Sequence, residues 1–149
     1  MEDYWILGLI SVHSSIILRS SFVLLTGKYT VWHEIIEVVP GNGALTKLLL
    51  EKKASLTCIE LDKRCVEYLY QHFGKAKLQI IEQEVLQTDF NQLIKDEAML
   101  VGNFPYNISS QIVFKVLDYK EKIPVCIGMF QKEMAMRLAA EKKKKDYGI

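Results

Sequence analysis

This chain of 149 residues has few groups suited to cross-linking or metal binding. Its cysteines are Cys58, Cys65 and Cys126, an odd number without metal-ligand spacing. That pattern excludes a disulfide scaffold and a cysteine-based zinc site. Free thiols fit a reducing, cytoplasmic compartment. The histidines, His13, His33 and His72, are scattered and have no carboxylate or cysteine at ligand spacing. No metal site is expected. Charge of one sign is also lacking, since the formal net charge is +1. No global basic field marks a nucleic-acid partner, which a local patch would have to hold. Lys142 to Lys145 is a candidate, but a lysine run near a chain end is usually just solvated. No repeat or low-complexity linker divides the chain.

A long uncharged hydrophobic run is missing as well. Trp5 to Leu25 is apolar, but His13, Arg19 and several serines interrupt it. A charge at mid-span opposes membrane insertion. There is no basic leader or small-residue cleavage site of the secretory kind. Residues 1–33 therefore stand as an uncertain apolar segment. It is expected to supply one or two helices packed on the domain, or to have little native structure. No membrane partner is expected.

The composition, 50% hydrophobic and 25% charged, is that of one globular domain with a real core. From Glu34 the pattern becomes regular. Glu34 to Val39 reads as a strand, followed by the turn Pro40-Gly41-Asn42-Gly43 and a helix from Ala44 to Lys52. A strand from Ala54 to Glu60 precedes a helix from Lys63 to Phe73, closed by Gly74. Lys77 to Ile81 is a third strand and Phe90 to Asp96 a short helix. Ala98 to Gly102 is a fourth strand, Ser109 to Leu117 a helix, and Val125 to Phe130 a fifth strand. Gln131 to Lys143 reads as a last helix. This alternation implies an α/β fold, a doubly wound, mostly parallel sheet with right-handed crossovers. Asp146 to Ile149 follows without a capping strand, so the sheet is expected to lack its last strands.

Three acids and two turns carry candidate chemistry. Glu37 leads into the turn, whose glycines Gly41 and Gly43 allow a ligand close to the backbone. The spacing is neither a dinucleotide fingerprint nor a P-loop, so the ligand need not carry phosphate. Glu60 ends the second strand, about 20 residues past the first turn, where an acid can accept hydrogen bonds from both ribose hydroxyls. Glu84 follows the third strand and can accept from an adenine amino group; an ordinary loop acid is the competing reading. Asn103-Phe104-Pro105-Tyr106 follows the apolar run Ala98 to Val101. Asn103 and a nearby backbone carbonyl can accept from an exocyclic amine, and Tyr106 can stack on a flipped base. That chemistry suits methyl transfer to a base amino group.

In this order, these residues resemble the S-adenosylmethionine-dependent methyltransferases. More narrowly, they resemble the ribosomal RNA adenine N6,N6-dimethyltransferase family. The resemblance rests on Glu37 to Thr46, Ile59 to Asp62, Asn103 to Ser109, Met129 to Ala135 with Arg137-Leu138, and Lys145 to Gly148. It covers residues 34–149, a partial methyltransferase domain. It implies a Rossmann-like fold, S-adenosyl-L-methionine as cofactor, and small-subunit ribosomal RNA as partner. Glu37, Val39, Gly41 and Gly43 would shape the methionine side of the pocket. Glu60 would hold the ribose and Glu84 face the adenine. Asn103, with the carbonyl near Pro105, would orient N6 beside the cofactor, and Tyr106 and Phe130 would sandwich the target base.

The sequence departs from the family pattern in four places. Val39 replaces a glycine, and Glu84 replaces an aspartate. The N-terminal Gln-x-Phe-Leu segment is absent, and so are the last strands and the helical C-terminal domain. The first two imply weaker cofactor affinity, and the last two imply slow or absent turnover. The alternatives are a non-catalytic cofactor- or RNA-binding module, or a methyltransferase acting on large-subunit RNA or on DNA.

Overall fold

The computed structural model describes residues 8–10 and 32–129. The strands are β1 (Gly8–Ile10), β2 (Glu34–Val38), β3 (Ser55–Ile59), β4 (Gln79–Ile81), β5 (Met99–Asn103) and β6 (Val125–Met129). The helices between them are α1 (Ala44–Leu49), α2 (Lys63–Phe73), α3 (Phe90–Leu93) and α4 (Ser109–Asp118), with a 3-10 turn at Val85–Gln87. One sheet of six strands runs β1-β6-β5-β2-β3-β4, and every pairing is parallel.

Strands buried on both faces need apolar residues at odd and even positions alike. In β2, Ile36 and Val38 enter one core with Phe90, Ile112, Val113 and Val116. Ile35 enters the other, with Leu49, Cys58, Leu78, Met99 and Val101. Central β5 is buried from Met99 to Gly102. Helix α2 follows its sequence signals closely. The Asp62 side chain accepts from the Arg64 N–H at 2.9 Å, and Gly74 closes the helix at φ 84°. Between those ends Val66 and Leu69 turn inward.

Several expectations change. Gly8–Ile10 lies in the stretch expected to be helical or to have little native structure, yet forms β1, with Leu9 opposite Gly128. An extended segment there satisfies backbone groups that β6 would otherwise leave at a sheet edge. The helix expected over Phe90 to Asp96 stops at Leu93, because Ile94 turns extended and enters the core, only 2% exposed. The helix begun at Ala44 ends at Leu49 rather than Lys52. The rest of Trp5 to Leu25, Phe130, the helix read from Gln131 to Lys143, and Lys142 to Lys145 lie outside the described residues. No helix among the described residues is long and apolar enough to cross a membrane. No group of three or more His, Cys, Asp or Glu side chains among them could hold a metal ion.

Candidate functional site

Because every strand points the same way, all the strand ends of interest share one edge of the sheet. Along that edge stand Glu84 after β4, Glu60 after β3, the glycine turn after β2, and Asn103 at the end of β5. From β4 to β5 is three interstrand steps in the sheet order, roughly 14 Å at ordinary strand spacing. That is the scale of an extended nucleoside bearing an amino-acid arm. The carboxyl edge is also where open α/β sheets bind ligands.

The turn is built on left-handed backbone. Val39, Gly41 and Gly43 have φ of 53°, 57° and 80°. Val39 is the one non-glycine residue at positive φ among those described. Its N–H donates to the Ile59 carbonyl at 2.9 Å, which fixes the turn to β3. A Cβ on Gly43 would meet Phe73 at 2.6 Å and Leu69 at 2.8 Å, so glycine is required for α1 to pack on α2. A Cβ on Gly41 would meet nothing within 4 Å. Gly41 therefore leaves backbone open to an incoming molecule.

The two acids beside the turn differ in kind. Glu37 is 1% exposed, and its Oε2 accepts from the Thr46 hydroxyl at 2.6 Å and from the Cys58 thiol at 3.7 Å. Burial pushes its pKa up to about 7, against the two hydrogen bonds, which lower it; the nearby Glu60 charge adds to the rise. Glu37 thus ties α1 to β2 and β3, and acts on the edge from behind the turn. Burial also raises the Cys58 pKa, so this thiol is an inert donor. Glu60 lies at the edge itself, 5% exposed. Its Oε2 accepts from the Gly41 N–H at 3.1 Å and its Oε1 from the Asp62 N–H at 3.0 Å. The carboxylate is held rigid, and each oxygen keeps a lone pair for a ligand.

Glu84 is half-buried, and its carbonyl accepts from the Thr88 hydroxyl at 2.9 Å and the Gln87 N–H at 3.1 Å. That ordered turn fixes the backbone on which the Glu84 side chain stands. Asn103 is exposed, Phe104 is 1% exposed and Tyr106 is 67% exposed. The Pro105 carbonyl accepts from the Ile108 N–H at 3.2 Å, and the Tyr106 carbonyl accepts from the Ser109 hydroxyl at 3.3 Å. The tetrapeptide is thus a closed turn with two polar or aromatic groups turned out and one ring turned in.

That inward ring rests on residues the sequence reading passed over. Gly102 and Gly128 are register partners on β5 and β6. An added Cβ on Gly128 would run into the Phe104 ring, and one on Gly102 would lie 2.5 Å from the Val38 carbonyl and 3.1 Å from that ring. Glycine inside a strand is the available signal for such a close approach. Thr46 was also passed over, as was Leu61, an apolar side chain 62% exposed directly after Glu60. The structure brings Glu60, Gly41, Glu84 and Asn103 to one edge. It sets Glu37 beneath that edge, and Phe130 lies outside the described residues.

A family model described as ribosomal RNA adenine dimethylase matches residues 28–149. The chain is 51% identical over 115 residues to ribosomal RNA small subunit methyltransferase A of Parabacteroides distasonis, a match covering 77% of this chain and 43% of that protein. It is 45% identical over 119 residues to the protein of the same name from Flavobacterium johnsoniae, covering 79% and 46%. The chain thus spans about half the length of the curated relatives it matches. Among solved structures it is similar to a dimethyladenosine transferase from Plasmodium falciparum, at a TM-score of 0.70 and 26% identity over 90% of this chain and 48% of that one. The 23S rRNA methyltransferase ErmE aligns at a TM-score of 0.62 and 25% identity, covering 85% and 49%.

Proposed function

Since the chain belongs to the ribosomal RNA adenine dimethylase family, we propose that it transfers methyl groups from S-adenosylmethionine to N6 of adenine in small-subunit ribosomal RNA, in the cytoplasm. The observation that carries this reading is the shared edge, with Glu84, Glu60, the glycine turn and Asn103 in that order along it. The residues present fit such a cofactor. Gly41 leaves open space, Glu60 holds an acceptor beside it, and Leu61 offers an exposed apolar wall next to that acid.

The cofactor, when bound, supplies an electrophilic methyl group. The protein's own task is positioning. Glu60 accepts from the ribose hydroxyls, and Glu84 accepts from the adenine amino group of the cofactor. The open backbone at Gly41 receives the amino-acid arm. Asn103 accepts from the target amine and turns its lone pair toward the methyl. Tyr106, already exposed, stacks on the flipped target base, at a gain of about 1–3 kcal/mol. Glu37 needs no direct contact, because Thr46 and α1 transmit its hold on the turn.

The test pairs calorimetry with radiolabelled methyl transfer to small-subunit particles. Binding of S-adenosylmethionine with N6-methylated adenine in the product supports the reading. Binding without transfer would leave only a cofactor-binding module, and absence of both would remove the cofactor from this edge.

A further inference from the structure

A second, shallow feature adjoins the edge just described and shares Gly41 with it. A cleft of about 260 Å³ is lined by Gly41, Asn42, Asp62, Arg64, Cys65 and Tyr68. Glu84 and Asn103 take no part in it. Glu60 accepts from the Gly41 and Asp62 N–H groups and so ties together two residues that line the cleft. The cleft runs onto the exposed face of α2, where Arg64, Tyr68 and His72 recur every fourth residue and share one stripe.

The chemistry of that stripe is particular. Tyr68 is 46% exposed, and its ring stacks on His72 with centroids 5.5 Å apart and planes 8° from parallel. Arg64 is gripped by Asp62 through two bonds, Nε to Oδ1 at 3.2 Å and Nη2 to Oδ2 at 2.8 Å. This bidentate pairing orients the flat guanidinium of Arg64, whose side chain is 90% exposed, and partly offsets its charge with that of Asp62. Beyond the helix end come Lys75, which lies over Tyr70 at 5.3 Å, and Lys77. Between Lys63 and Lys77 the chain has four cations and a single acid, Glu67. Cations past a helix C-terminus complement its dipole, which accounts for the lysines alone. It does not account for an exposed aromatic pair continuous with a cleft. Flat rings beside cations are what single-stranded nucleic acid binds, whatever its sequence. A protein-docking face would be depleted of lysine, whereas Lys75 and Lys77 follow directly on this one.

We propose that the cleft and the outer face of α2 form a second RNA contact, with one unpaired base seated against Tyr68 and the strand led toward Lys75 and Lys77. The contact rests on the proposed function only for the choice of RNA as the strand. Its ring and cations stand on and after α2 rather than at the end of β5, so it adds affinity without touching the methyl transfer.

Fluorescence anisotropy with a labelled single-stranded oligoribonucleotide of roughly ten nucleotides tests it, this being within the usual site size. Tyr68→Ala should weaken binding about tenfold, and Tyr68→Phe should restore it, because stacking needs the ring and not the hydroxyl. Lys75→Glu with Lys77→Glu should lower the slope of log affinity against log salt by about 1.4. Equal affinity of wild type and Tyr68→Ala, or no binding by wild type, would overturn the proposal and leave a solvated helix face. RNA binding through Tyr68 by a chain that binds no S-adenosylmethionine would refute the proposed function and leave this contact standing.

Discussion

Val39 places a β-branched side chain at φ 53°, a conformation that costs an L-residue roughly 1–2 kcal/mol. Glycine occupies that region freely, at a backbone-entropy cost of about 0.5–1 kcal/mol. Val39→Gly should therefore leave urea stability unchanged or raise it by up to about 1 kcal/mol, and should tighten S-adenosylmethionine by opening the turn. A loss of more than about 1 kcal/mol would mean that packing of Val39 against the core outweighs the strain. Glu37 gives a prediction of opposite kind. Its folded pKa of about 7 stands above the ordinary 4.5, chiefly through burial. Its contribution is thus fully present below pH 4.5 and is lost as pH rises toward 7. Glu37→Gln removes this dependence. Between pH 5 and pH 8 it should gain on wild type by roughly 3 kcal/mol or less, as read from urea midpoints. Parallel curves for the two proteins would mean that Glu37 stays ionised in the fold. Glu60 is the residue for affinity: Glu60→Ala should weaken S-adenosylmethionine by roughly 1–3 kcal/mol in calorimetry. Equal affinity would take Glu60 out of the site.

Among the elements, α2 is the one whose bounds the sequence states outright, since a capping aspartate, an apolar stripe and a closing glycine agree. Short elements are less legible. Ile94 and Leu78 could each extend their neighbouring helix or strand by pattern alone, but both are drawn into the core instead. The site divides similarly. Glu60 and the glycine turn follow from order along a strand-turn-helix pattern, because parallel strands bring their ends together. The pairing of Gly102 with Gly128 beneath Phe104 depends on register between strands that are 26 residues apart at those positions, 128 less 102, which local pattern does not encode. β1 was hidden for the same reason, its partner being β6. The glycine pair also makes the β5 turn testable. Gly128→Ala should displace Phe104 and with it Asn103 and Tyr106, costing about 1–3 kcal/mol of stability. Gly128→Ala with Phe104→Leu should recover part of that cost. Additive losses in the double variant would show that the ring does not rest on Gly128.

At the scale of the whole molecule, the parallel sheet makes one edge out of strand ends that are far apart in sequence. The groups proposed to hold the cofactor and the acceptor then stand on different strands, so they can be separated by mutation. Asn103 is exposed at the end of β5, next to the glycine turn of β2 but not bonded to Glu60. In the proposed mechanism its hydrogen bonds to the target amine would strengthen as N6 turns pyramidal, and so would favour the transition state over the bound substrate. Asn103→Ala should then lower methyl transfer by about a hundredfold, the effect of losing one preorganised polar contact. S-adenosylmethionine affinity should change far less than it does in Glu60→Ala. Single-turnover transfer to small-subunit particles, with cofactor saturating, isolates the step from binding. Equal single-turnover rates for wild type and Asn103→Ala would break the mechanism even if the cofactor binds as proposed. A fall in cofactor affinity as large as the fall in rate would instead move Asn103 from the acceptor side of the edge to the cofactor side.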